Sequence, residues 1–139
     1  MLGIVFASHG GFAQGLYDTV QMLVGEVQAC RVVSLVPGMT PERFDEQLAA
    51  AIGEVDCGDG VIVFTDIASG TPYNRALGLK HRGLNIEVVS GTNVPMVLEL
   101  AFGAEGDKAE VAEAALQNAK EGIARVCFDR SAEQDEDDF

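Results

Sequence analysis

The sequence predicts an α/β fold, an open, doubly wound and mainly parallel sheet with helices on both faces. Three observations predict it: short β-branched apolar runs, amphipathic helical patterns between them, and polar glycine-containing segments directly after the runs. The runs are residues 2–7 (LGIVFA), 60–65 (GVIVFT) and 86–89 (IEVV), with 31–36 (RVVSLV) as a more mixed fourth. They show little polar alternation, which argues for burial on both faces, as in a parallel sheet.

The first run leads into a helix in which Phe12, Leu16, Val20 and Leu23 recur every three or four residues and so share an inner face, with Gln14, Asp18 and Gln21 turned elsewhere. After the second strand, Thr40 and Pro41 supply an N-cap and a first-turn proline for a helix from Pro41 to about Val55, packed through Phe44, Leu48 and Ile52. A shorter helix follows Pro72. The stretch VPMVLELAF, within 90–104, fits either a short helix or the run into an edge strand. The last helix starts near Asp107 and uses Val111, Ala115, Ala119, Ile123 and Val126. A chain of 139 residues, 47 % of them hydrophobic, can bury one core and not two. Residues 1–128 form that domain. Residues 129–139 carry six acidic side chains against Arg130 alone, the composition of a disordered acidic tail.

Several function classes are excluded. No window approaches the roughly 20 apolar residues of a membrane span, and the opening MLGIVFASHGG has neither the basic start nor the small-residue cleavage site of a signal peptide. A cytoplasmic protein is expected. Cys30, Cys57 and Cys127 are an odd number, far apart and without a C-x-x-C pair, so free thiols are expected rather than a disulfide framework or a metal site. A net charge of −13 opposes the basic surface that nucleic acid requires.

In open parallel sheets reactive loops lie beyond the carboxyl ends of the strands, where neighbouring connections diverge. Three polar segments occupy such positions: Ser8-His9-Gly10-Gly11, then 66–74 (DIASGTPYN), then 90–95 (SGTNVP). With strand order 2-1-3-4 the first and third strands are neighbours whose crossovers lie on opposite faces, so His9 and Asp66 meet at the switch point. A neutral histidine ring offers one unprotonated nitrogen as a nucleophile near neutral pH. A carboxylate that accepts the other ring N–H fixes the tautomer and stabilises positive charge developing on the ring, the role expected of Asp66. Gly10 and Gly70 allow backbone N–H groups to approach a phosphoryl oxygen, Ser69 lies in the same loop, and Thr71 adds a hydroxyl. This chemistry needs neither a metal nor a cofactor. His81, between Lys80 and Arg82 at a helix end, reads as a solvated surface residue, and Phe12, Tyr73 and Met96 read as packing residues.

Four motifs in order carry a resemblance to a known family: S-H-G at His9, V-P-G at 36–38, D-x-x-x-G-[ST]-P-x-N at 66–74, and G-x-N-x-P-M at 91–96. From Met1 to about Val126 the chain resembles the mannose-family enzyme IIA domain of the phosphoenolpyruvate-dependent sugar phosphotransferase system. The resemblance implies that His9 is phosphorylated, that Asp66 orients it, and that Thr71 is the hydroxyl near the phosphate. It also implies the phosphocarrier HPr as donor, an enzyme IIB with membrane IIC and IID components as acceptor, and a cytoplasmic homodimer for which any association with the inner membrane would run through its transporter partners. The family usually has Gly-Gly before the hydroxyl residue, where this chain has Ser69-Gly70. With only an acidic segment after the domain, the acceptor is expected on a separate chain. Two other readings use the same histidine chemistry, a regulatory phospho-sensor and the phosphocarrier subunit of dihydroxyacetone kinases; the 66–74 and 91–96 motifs favour sugar transport over the kinase subunit, whereas relay and sensor use the same residues and the sequence does not separate them. The sugar itself is set by the membrane partners. The homodimer interface is expected to include about 93–103, because Val94, Met96, Val97, Leu98, Leu100, Ala101 and Phe102 exceed what one short helix can bury against a small sheet.

Overall fold

Apolar side chains at both parities of a strand need cover on both sides of a sheet, and the layering follows from that need. The computed structural model describes residues 1–128. The elements are β1 (Gly3–His9), α1 (Phe12–Val24), β2 (Cys30–Leu35), α2 (Pro41–Val55), β3 (Val61–Thr65), α3 (Thr71–His81), β4 (Ile86–Val89), α4 (Val94–Leu98) continued by a 3-10 turn at Glu99–Phe102, and α5 (Lys108–Glu121). Among the described residues the sheet has four parallel strands in the order β2-β1-β3-β4, as the sequence predicts. Ile4, Phe6, Ile62 and Phe64 face α1, α4 and α5, where Leu16, Val20, Met96 and Ala115 cover them. Val5, Ala7, Val61 and Val63 face α2 and α3, under Phe44, Leu48, Ala76 and Leu79. Because α1 and α3 pack on opposite faces, the loops after β1 and β3 diverge and leave a crevice between them. Among the described residues no helix is long and apolar enough to cross a membrane.

Three expectations are corrected or decided. The buried residues of α1 are Ala13, Leu16 and Val20, whereas Phe12 and Leu23 are 46 % and 59 % exposed. The cause is local: the buried Ser8 hydroxyl accepts the Ala13 N–H at 2.7 Å, which turns Ala13 inward and leaves its neighbour Phe12, about 100° away around the helix, outside. The last helix stops at Glu121, and Ile123 and Val126 are exposed instead of sharing its inner face. In a continued helix the Ala119 carbonyl would accept the Ile123 N–H, but the Asn93 amide donates to it at 3.1 Å and Ile123 N–H turns to Lys120.

Between 90 and 104 the short helix forms. Asn93 caps it by accepting the Met96 N–H at 3.0 Å, and the segment then returns to the sheet through a single antiparallel bridge in which Leu2 N–H donates to Ala104 O at 2.7 Å. Met96, Val97 and Ala101 are buried within their own chain, so the argument that this stretch requires an outside partner fails for them; Phe102 alone of the seven is largely exposed. The acidic tail expected at 129–139 lies outside the described residues.

Candidate active site

The two residues predicted to meet at the switch point do so. His9 ends β1 and Asp66 follows β3 directly. The Asp66 Oδ2 accepts the His9 backbone N–H at 3.0 Å and stands 2.9 Å from His9 Nδ1, while Oδ1 accepts the Ile67 N–H at 3.0 Å. Partial burial pushes the Asp66 carboxyl upward, but the backbone and ring bonds from His9 and the Ile67 N–H outweigh it and hold the group below its ordinary value. An ionised carboxylate can only accept, so the tautomer of a neutral His9 ring that pairs with Asp66 is the one with Nδ1–H, which leaves Nε2 unprotonated. The His9 side chain is 47 % exposed and that of Asp66 16 %. The His9 ring therefore meets solvent while the carboxylate that pairs with it is mostly enclosed.

The other edge of the ring faces 69–71. A β-carbon placed on Gly70 would lie 2.7 Å from His9 Cε1 and 3.5 Å from Nε2, so only glycine lets the loop backbone come this close. Gly70 is also the N-cap of α3, and Thr71 and Pro72 open the helix, so the N-terminal end of α3 begins beside the His9 ring. Ser69 precedes them at φ +67°, a left-handed conformation that costs a non-glycine residue about 1–2 kcal/mol. This is the position at which the resembling family usually has glycine, so the departure is a matter of backbone strain. The Asn74 side chain donates to the Ser69 carbonyl at 3.2 Å. Gly10 makes the left-handed turn after β1 at φ +53°, and its N–H is already bonded to the Leu35 carbonyl at 2.7 Å. Its contribution is to the turn that presents His9.

Several supports escaped sequence reasoning. Ser8 is fully buried and holds the start of α1. Its signal was a polar residue inside an otherwise apolar strand end. Thr65 donates to the Val89 carbonyl at 2.8 Å, and Thr92 donates to the Thr65 carbonyl at 2.7 Å. These bonds lock the third rim segment to β3 immediately before Asp66. The 91–96 motif thus braces the rim, and Thr92, Asn93 and Val94 also line a cavity with Phe12 and Leu16. Arg75 on α3 grips Asp45 on α2 through two hydrogen bonds, with Arg82 3.7 Å away on the same carboxylate. His81 is exposed at the far end of α3, remote from the carboxyl ends of the strands. Cys30 is buried, which pushes its thiol up to about 12, and Cys57 and Cys127 are exposed free thiols.

Comparison with known proteins gives this geometry its family. The family described as "PTS system fructose IIA component" (EIIA-man) matches residues 3–120. The mannose-specific EIIAB component of Escherichia coli K12 is 30 % identical over 124 residues, covering 88 % of this chain. The match occupies 38 % of that relative's length. The sorbose-specific EIIA component of Lacticaseibacillus casei is 27 % identical over 137 residues, 98 % of this chain and 99 % of the relative. Among solved structures, the mannose/sorbose-specific IIA subunit of the phosphotransferase system from Enterococcus faecalis superposes with a TM-score of 0.83 at 25 % identity, covering 93 % of this chain and 97 % of that one. With a matching family model over most of the chain, the predicted sheet order and the same fold in a solved IIA subunit, this chain belongs to the mannose-type enzyme IIA family of the sugar phosphotransferase system.

Proposed function

We propose that the chain is a cytoplasmic phosphohistidine carrier, which accepts a phosphoryl group from phospho-HPr on His9 Nε2 and passes it to an enzyme IIB that serves membrane IIC and IID components. The observation that carries this reading is the division of the His9 ring: Nδ1 is committed to Asp66 at 2.9 Å, and the edge bearing Nε2 faces Gly70 at the start of α3. In the transfer Nε2 attacks phosphorus in line as the phosphorus–nitrogen bond of the donor breaks. The donor ring leaves neutral, and the His9 ring becomes a phosphoimidazolium whose Nδ1–H stays on Asp66. No proton leaves the pair. Asp66 is worth most in that charged state, and the 69–71 segment supplies donors for the phosphoryl oxygens.

A protein substrate is supported by what surrounds His9. Phe12, Val36 and Ile67, each on a segment at the same rim, are exposed apolar side chains, an arrangement suited to a macromolecular partner. A homodimer is part of the same proposal, with Phe102 at 73 % and Ile123 and Val126 at 74 % exposed as its candidate contacts. The direct test is incubation with phosphoenolpyruvate, enzyme I and HPr, followed by mass spectrometry of the modified residue. The expected result is a single acid-labile phosphoryl group on His9, passed on when enzyme IIB is added. A chain that stays unlabelled would overturn the reading.

A further inference from the structure

The carrier reading gives Asn74, the last residue of the 66–74 motif, no role, and the geometry around it supplies one. The Asn74 Nδ2 donates to the Ser69 carbonyl at 3.2 Å, five residues back, while its own N–H bonds the Gly70 carbonyl at 2.9 Å. Ser69 is at φ +67°, a region that a serine leaves unless its neighbours hold it there. Gly70 lies against the His9 ring, with room for no β-carbon. In a trans peptide the carbonyl and the following N–H point in opposite directions. With the Ser69 carbonyl drawn toward Asn74, the Gly70 N–H is turned away from Asn74, on the peptide that abuts the His9 ring.

We propose that Asn74 is a positioning residue for phosphoryl transfer: by holding the Ser69 carbonyl it keeps the 69–70 peptide oriented so that the Gly70 N–H donates to the phosphoryl oxygens on His9 Nε2. The proposal rests on the carrier reading and goes beyond it in naming the donor and the side chain that aims it. Serine at 69 makes the clamp matter more in this chain, because glycine would adopt the same backbone conformation unaided. The side chain must be a donor. An aspartate of the same shape would set an acceptor against a carbonyl and lose the bond.

The test uses phosphoramidate, which needs no protein partner: its phosphorus–nitrogen bond breaks and ammonia leaves as the bond to Nε2 forms. Labelling is followed by 31P and 1H–15N spectra. In the wild type the Gly70 amide proton is expected to move downfield on phosphorylation. Asn74→Ala and Asn74→Asp are each expected to label about tenfold more slowly, without the Gly70 shift and with unchanged thermal melts. Adding Ser69→Gly to Asn74→Ala is expected to recover about threefold of that rate by removing the strain that the clamp opposes. A Gly70 amide that does not move in the labelled wild type overturns the proposal. So does an Asn74→Ala variant that labels at the wild-type rate, or a double variant no faster than Asn74→Ala. Labelling by phosphoramidate but not by phospho-HPr counts against the carrier reading alone, since the Gly70 and Asn74 results are read without HPr.

Discussion

His9 presents two nitrogens in different circumstances, and the first predictions follow from that difference. His9→Ala is expected to abolish labelling by phospho-HPr and His81→Ala to leave it intact, read by mass spectrometry, because His81 is exposed among cations at the end of α3. Asp66→Asn keeps a side chain of the same shape but removes the charge that, in the proposed transfer, would face the phosphoimidazolium. Its transfer rate should fall by about 1–4 kcal/mol of transition-state stabilisation, with an unchanged circular dichroism spectrum. The same residue sets a pH dependence. Its folded carboxyl lies below the ordinary value, so the stability it contributes is present above about pH 4 and is lost as the pH falls through the folded pKa. Urea midpoints of the wild type and Asp66→Asn should therefore differ at neutral pH and converge in acid. A constant gap would show that the charge of Asp66 adds no stability.

Among the elements, α4 depends most on its ends, since with five residues it is too short to persist alone. Asn93 serves it twice, capping Met96 N–H with its carbonyl and binding the Ala119 carbonyl of α5 with its amide. Asn93→Ala is expected to cost about 1–2 kcal/mol, seen as a lower urea midpoint with an unchanged slope. Transfer to His9 should be nearly unaffected, since both ends of the Asn93 amide are committed to Met96 and Ala119. On the other face, Asp45 ties α2 to the helix whose N-terminus adjoins His9. Arg75 is partly exposed, which limits the pair's contribution to stability, so Asp45→Ala should be modest, about 1 kcal/mol.

At the scale of the whole molecule, the chain covers both faces of its sheet with its own helices, which leaves the question of association to its remaining exposed apolar groups. Sedimentation equilibrium at micromolar concentration is expected to give a dimer. Phe102→Asp and Ile123→Asp remove exposed apolar side chains without touching the core, so either should weaken association while the fold is kept. A monomeric wild type would refute the dimer. Dimeric forms of both variants would place its interface away from these residues.

The strand runs, the helix-capping signals and the pairing of His9 with Asp66 were legible in the sequence because each rests on local chemistry or on one topological rule. Apolar runs with no alternation imply a parallel sheet, and strand order 2-1-3-4 brings the ends of β1 and β3 together. Periodicity alone did not orient α1 or end α5. Both depend on side chains outside the helix itself, Ser8 just before α1 on Ala13 and Asn93 from a distant loop on Ala119. The strain at Ser69, the commitment of the Gly10 amide to Leu35 and the contact between Gly70 and the His9 ring belong to backbone angles and distances between segments. The pairing of His9 with Asp66 could therefore be read from residues, whereas the face that the other ring nitrogen presents, and the loop that meets it, were decided only when the chain closed on itself, because hydrogen bonds between distant segments fix orientation that local propensity leaves open.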